Sequence, residues 1–168
     1  MDLITAIETR ASAARLAAPG PDAVQLQRLL AAAAHAPDHG RLRPWRLIAL
    51  EGDLREAFIC AAAEAKRARV PTLTPEQAAA DRDKMRRSPA IVVVACVVNR
   101  AQTKIPEIEQ VVATGAVAQN LFLAAHDLGY GVMWKTGAAA YDPAVKACVG
   151  LGPDDHIIAI MHLGTKAP

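Results

Sequence analysis

Apolar residues recur at helical spacing from the start of the chain. Leu3, Ala6 and Ile7 follow Asp2, whose carboxylate can cap a first turn, and predict a helix to about Arg10. The turn-rich Pro19-Gly20-Pro21 separates it from a second helix that opens after Asp22, carries Val24, Leu26, Leu29 and Leu30, and stops before Pro37. His35 to Arg43, punctuated by Pro37 and Gly40, reads as a loop, and WRLIAL from Trp45 to Leu50 as a strand. Asp53 is placed to cap a helix over Leu54 to about Arg69. Pro75 to about Arg87 reads as a more polar helix, with Val70 to Thr74 as the connector.

The later half is more apolar. Ala90 to Val98 is a β-branched run without alternation, the pattern of a central strand covered on both faces. Pro106 opens a long helical pattern through Leu128, which ends at Gly129. From Val111 to Ala125 it is almost wholly Val, Ala, Leu, Phe and Gly, so burial on every side is expected. A domain this small cannot surround so long a helix, whereas a twin copy packed against it could. GVMW (Gly131 to Trp134) is a further strand, Asp142 or Pro143 starts a short helix to Cys148, and His156 to Leu163 is the last strand. The expected fold class is α+β: a central mixed sheet of four to five strands flanked by helices, in a single domain over residues 1–168.

The composition limits what such a domain does. With 52% hydrophobic residues it is too apolar for disorder, and its longest apolar run, Ala90 to Val98, is far short of a membrane span. Nineteen basic and 17 acidic residues leave a net charge of +2, too balanced for nucleic acid as main partner. The opening MDLITAIETR has no basic segment before an apolar stretch, so a soluble cytoplasmic protein is expected. Cys60, Cys96 and Cys148 form no CxxC pair, which argues against a disulfide framework or zinc site. No GxSxG, GxxxxGK[ST] or GxGxxG occurs, so a phosphorylated cofactor would have to be held by side chains.

Three clusters carry candidate chemistry. Arg10 and Ser12 at a helix end can hold a phosphate through charge-assisted hydrogen bonds, or merely complement the helix dipole and a local turn. His35 and His39 lie four apart, but Pro37 between them prevents the shared helical face of a zinc site, and no metal is expected; a rigid loop presenting His39 to a planar ligand is the functional reading. Trp134, Lys135 and Thr136 leave a strand end, where open sheets often bind ligands, although Trp134 can equally fill core. Gln119 and Asn120 should hydrogen-bond to backbone or ligand, and His156 and His162, six apart, could share a strand face. The basic stretches Lys66 to Arg69 and Arg82 to Arg87 read as solvated helix faces.

Five segments resemble the FMN-dependent nitroreductase family, and within it the small YdjA-like branch of NAD(P)H nitroreductases. They are TRAS (Thr9 to Ser12), APDHGRLRPWRLI (Ala36 to Ile48), GAVAQNLFLAAHDLGYG (Gly115 to Gly131), WKTG (Trp134 to Gly137) and IMHLGT (Ile160 to Thr165), in family order across nearly the whole chain. The resemblance implies an intertwined homodimer with two FMN sites at the interface, each lined by both chains. Arg10, Ala11 and Ser12 would take the flavin phosphate and ribityl end, His35 and His39 would approach from the partner, and Trp134, Lys135 and Thr136 would run along the other side. Ala124, Ala125, His126, Asp127, Leu128 and Gly129 match a stretch associated with nicotinamide binding. The branch usually has arginines where this chain has Ala11 and His35, and a longer tail after the Gly-Thr step, differences that imply a weaker hold on FMN or a smaller interface.

The implied activity is hydride transfer from NAD(P)H through flavin N5 to a planar acceptor such as a nitroaromatic or quinone. The chemistry lies on the cofactor, so no catalytic side chain is required; Arg15 and Lys135 are candidates for a cation near flavin N1. Two other readings stand beside it: a flavin carrier or regulatory dimer with little turnover, and a flavin-free helical interaction module using the basic helices around Arg67 and Arg86.

Overall fold

A computed structural model describes residues 1–167. In chain order the elements are α1 (Leu3–Thr9), β1 (Leu16–Ala17), α2 (Ala23–Ala33), β2 (Trp45–Ala49), α3 (Gly52–Arg69), α4 (Pro75–Arg86), β3 (Ala90–Cys96), α5 (Glu107–Asp127), β4 (Gly131–Lys135), α6 (Ala138–Tyr141), α7 (Pro143–Cys148) and β5 (His156–Lys166). A short 3-10 turn, His39–Arg41, interrupts the loop after α2. Side-chain caps set several of the helix starts. Asp2 accepts from the Thr5 amide at 3.0 Å, Asp22 and Gln25 form a reciprocal capping box, and Asp142 accepts from the Ala144 and Val145 amides. Thr74 and Gln77 form a second box, just ahead of which Val70 to Thr74 is the expected connector. Asp53 is not a cap: α3 starts one residue earlier, at Gly52, and Asp53 sits in its first turn.

The sheet corrects the expectation of mixed pairing. Its strands run β2-β3-β5-β4, with β1 joined to the end of β5, and every pairing between these strands is antiparallel. The reason lies in the connections. Two helical passes, α3 and α4, link β2 to β3, and two more, α6 and α7, link β4 to β5, so the chain returns reversed each time. The single crossover α5 does leave β3 and β4 parallel to each other, but β5 inserts between them. The one parallel contact is an isolated bridge between Ser12 and Val132. The pattern also gave four strands, without β1 or the four-residue α6, because elements this short carry no periodicity.

Both faces of the sheet are covered. On one, α2 and α5 pack Leu29, Val117, Leu121 and Phe122 against Val92, Val94 and Met161; on the other, α3, α6 and α7 pack Phe58, Ala140 and Val145 against Ile91, Val93 and Ile160. β3 is therefore the doubly covered strand its sequence predicts, buried from Ile91 to Cys96. Opposite Val94 and Ala95 the register slips and β5 accommodates Ile158 as an extra residue, whose carbonyl accepts the Trp134 indole N–H at 3.1 Å. That slip separates the two histidines expected to share a face. His156 turns to the α5 side and bonds Glu107 at 2.6 Å, while His162 is buried on the opposite side.

Helix α5 is buried along one stripe rather than all round. Gln110, Ala113, Thr114, Val117, Ala118, Leu121, Phe122 and Ala125 face the sheet, whereas Ile108 and Val112 are 65% and 64% exposed in the single chain. Gln119 and Asn120 lie on the half-buried flank; the buried polar residues of the helix are Gln110, which bonds the Asn99 and Ile105 backbone, Thr114, which bonds back to the Gln110 carbonyl, and His126 near its end.

Pro89, between α4 and β3, wedges against two glycines. A Cβ at Gly20 would lie 2.6 Å from Pro89 Cβ; one at Gly164 would lie 2.6 Å from Pro89 Cδ and 2.9 Å from the Ala17 carbonyl oxygen. Neither a proline ring nor a backbone carbonyl yields easily. Gly164→Ala is expected to cost about 1–3 kcal/mol of folding free energy, read as a lower denaturant midpoint at unchanged slope.

Candidate functional site

A cationic crevice of about 560 Å³ opens along the edge of β4. The segment after α1 forms one wall: the Ala13 amide donates to the Val132 carbonyl at 2.8 Å, and Ser12 bridges the same residue, which brings Ala14, Arg15 and Leu16 beside Met133 and Lys135. The other wall is the end of α4, with Lys84, Arg87 and Ser88. Arg55 of α3 fixes that end by donating to the carbonyls of Arg86, Ser88 and Pro89. Four basic side chains thus line one groove. Lys135 is the most enclosed, and burial, reinforced by the Lys84 charge, pushes its ammonium below the usual lysine range, although Asp81 opposes the shift.

A second basic group lies next to the crevice. The Arg10 guanidinium sits 5.2 Å from the centre of the Phe122 ring. His126, whose Nε2 is 3.0 Å from Thr9 Oγ1, is held below the usual histidine range by burial and then by the charges of Lys166 and Arg10. Gly131 joins this group to the crevice, because a Cβ there would meet Leu16, Lys166 and Ala13 within 3.1 Å.

The expected site residues divide accordingly. Arg10 belongs to the basic group, and Ala11 and Ser12 follow it in the exposed segment that leads to the crevice wall at Ala14; none of the three lines the crevice itself. Lys135 lines the crevice, and Lys135 and Thr136 line a neighbouring cavity under α3 and α4. The Trp134 side chain packs on the α5 side, because successive residues of a strand alternate faces. His35 and His39 are not brought to the crevice of their own chain. His35 is exposed, and His39, 2.7 Å from Glu109, borders an open groove of about 390 Å³ along the outer face of α5 with Ile108 and Val112. The stretch Ala124 to Gly129 ends α5 beneath α1, where the N-terminal ammonium pairs with Asp127 at 2.9 Å.

Sequence reasoning missed Lys84 and Arg87, filed as solvated helix face, and also Ser88 and Lys166. The close pair of His162 Nδ1 and Ser88 Oγ at 2.8 Å was equally invisible, since 74 residues separate the two. Only the arrest of α4 at Pro89 hinted that the end of this helix meets the sheet. Among the described residues no cluster of three His, Cys, Asp or Glu side chains could hold a metal ion, and no helix is long and apolar enough to cross a membrane.

Comparison with known proteins follows the same outline. The nitroreductase family model matches residues 7–165. YdjA of Escherichia coli strain K12, named as an NAD(P)H nitroreductase, is 33% identical over 171 residues, covering 98% of this chain and 88% of its own. A solved nitroreductase-like protein from Bacillus cereus superposes with a TM-score of 0.85 at 26% identity, over 100% of this chain and 87% of that one. A Desulfovibrio desulfuricans protein described as a nitroreductase in complex with FMN has a TM-score of 0.74 at 21% identity, over 98% of this chain and 86% of its own; that likeness is one of fold.

Proposed function

The chain belongs to the nitroreductase family, and from that premise we propose that it is an FMN-dependent oxidoreductase, a cytoplasmic homodimer that takes reducing equivalents from NAD(P)H. The observation that carries this reading is the crevice beside β4, where Lys84, Arg87, Arg15 and Lys135 converge on a concave volume of about 560 Å³. A volume of roughly 300–1,000 Å³ is usual for small-molecule sites, and an excess of cations suits a phosphorylated, electron-accepting ligand. The residues fit the group. Arg10, Ser12 and Lys166 would hold the phosphate beside the crevice, and Lys135, desolvated and facing an Asp81 already paired with Lys66 and Lys84, would favour a ligand that gains negative charge. When bound, FMN supplies two-electron transfer between NAD(P)H and a planar acceptor such as a nitroaromatic or quinone. The protein's part is to bind, orient and exclude water.

The outer face of α5 supports the dimer. Ile108 and Val112 there, with Leu3, Ile4 and Ile7 of α1, are large apolar side chains left exposed in the single chain. A second copy covering them would close over the groove that His39 borders with Ile108 and Val112.

The test is spectroscopic. Protein passed through gel filtration with FMN should elute as a yellow dimer, and anaerobic NADPH or NADH should bleach it faster than free FMN. Bleaching no faster than free FMN would leave a carrier; a colourless protein would end the flavin reading. Arg10→Ala is expected to weaken FMN binding about 10- to 100-fold, the loss of a hydrogen bond to a charged group, measured by fluorescence titration.

A further inference from the structure

One buried polar side chain has no part in the cofactor reading: His162 of β5, which is 1% exposed. Its Nδ1 lies 2.8 Å from Ser88 Oγ, whereas its Nε2 is buried without a hydrogen-bond partner. Folded proteins rarely leave a ring nitrogen in that condition, so what faces Nε2 matters. The strand register gives the answer. His162 pairs with Met133 and Ile160 pairs with Lys135, which puts Lys135 diagonal to His162 on one face of the sheet. Diagonal positions are roughly 7–8 Å apart, within the reach of a long side chain. Both residues border the same hollow of about 410 Å³, together with Ala62, Ala63 and Met85, and Ser88 does not. Nδ1 is therefore turned to Ser88, and Nε2 is the nitrogen left for the hollow.

The other charged groups around the pair are already engaged. Asp81 of α4 pairs with Lys66 of α3 and with Lys84 of its own helix, and Arg55 donates to the carbonyls of Arg86, Ser88 and Pro89. The half-buried Lys135 ammonium makes neither a hydrogen bond nor an ion pair among the described residues, and a desolvated cation needs an acceptor. His162 can be one. Burial first, then the Lys135 and Arg55 charges, push its protonation down to about 3, so the ring is neutral and one nitrogen always carries a lone pair. The ammonium field favours that lone pair on Nε2, with the proton on Nδ1 and donated to Ser88 Oγ. The opposite tautomer would aim two donors, Nε2–H and Nζ–H, at one apolar-walled hollow.

We infer that His162 is a positioning residue for Lys135: it donates from Nδ1 to Ser88 and offers Nε2 to a water that accepts from Lys135 Nζ, which fixes the ammonium over the sheet rather than leaving it to swing to Asp81. A hollow of this size, with polar groups on two sides, suits such a bridge. Only the consequence for the cofactor rests on the proposed function: a fixed cation at the crevice favours the reduced, more negative form of a bound flavin.

Histidine ¹⁵N spectra of the whole protein without FMN should show His162 as the Nδ1–H tautomer, and Ser88→Ala, which removes the acceptor, should shift it toward Nε2–H. In both Ser88→Ala and His162→Phe the Lys135 ammonium, followed by ¹³C NMR at Cε, should lose its proton more readily, by at least about tenfold in the second. His162→Gln, whose amide oxygen reaches the place of Nε2, should restore most of that; a side chain that merely fills space would move none of these signals. With FMN bound, His162→Phe should shift the balance toward oxidised flavin about tenfold, a midpoint potential about 30 mV lower. An Nε2–H tautomer in the wild type, or Lys135 proton loss unchanged in those of the two variants that fold, overturns the inference. A changed Lys135 with an unchanged potential overturns its bearing on the flavin. The expected tautomer and Lys135 response in a protein that refuses FMN would uphold the positioning and refute the proposed function instead.

Discussion

Lowering the pH from 7 to 5 is expected to cost the folded protein about 2 kcal/mol through His162 alone. In the fold its imidazole titrates near 3, because burial and the neighbouring Lys135 and Arg55 charges oppose protonation. In the unfolded chain it titrates near its ordinary value of about 6.5. Between these values the unfolded state binds a proton that the folded state refuses, so stability falls as pH falls, by roughly 1.4 kcal/mol per unit once below 6.5. The effect starts where the unfolded histidine titrates and continues toward pH 3. His126, also held low by burial, acts in the same direction. Asp81, Glu56 and Glu107 are held below the usual carboxylate range by Lys66, Arg86 and His156, so their contributions are lost only in more acid solution. Denaturant unfolding of the wild type at pH 7, 6 and 5 should show the slope, and His162→Gln should remove most of it. A wild-type profile flat over that interval would mean that the buried ring is solvated in the folded state.

Phe122→Ala is expected to cost about 3–5 kcal/mol, the usual penalty for emptying a large aromatic site in a packed core. Phe122 is 2% exposed and packs with Leu29, Val132 and Met161 between α5 and the sheet. Its outer face also carries the Arg10 guanidinium. Phe58, wholly buried on the opposite side of the sheet, is the control. Phe58→Ala should cost a similar amount of stability yet leave FMN affinity nearly intact, whereas Phe122→Ala should lower both, because Arg10 loses the ring it stacks on. Equal effects of the two substitutions on FMN affinity would show that Arg10 is positioned by something other than this stacking.

Most of the elements were legible in the chain because each is specified locally. Proline and glycine mark where helices stop, short polar residues mark where they start, and the unbroken aliphatic run of β3 declares burial on two sides. The α+β architecture and the membership of the family follow from such local signals set in order. Arg10 and Lys135 were legible as candidates for the same reason, since each is a charged residue at the end of an element.

What the sequence could not determine depends on residues far apart in it. Strand direction is set by how many helical passes lie between strands, and the insertion of β5 between β3 and β4 turned an expected mixed sheet into an antiparallel one. One bulge at Ile158 sent His156 to the α5 side and His162 into the interior, although their spacing of six places them together on an unbroken strand. Lys84 and Arg87 look like solvent-facing charge in a polar helix, and only the packing of α4 against the edge of β4 makes them walls of the crevice. Periodicity along a chain fixes which way a residue faces within its own element; which element faces it is decided by tertiary packing, and that is where this protein's charges meet.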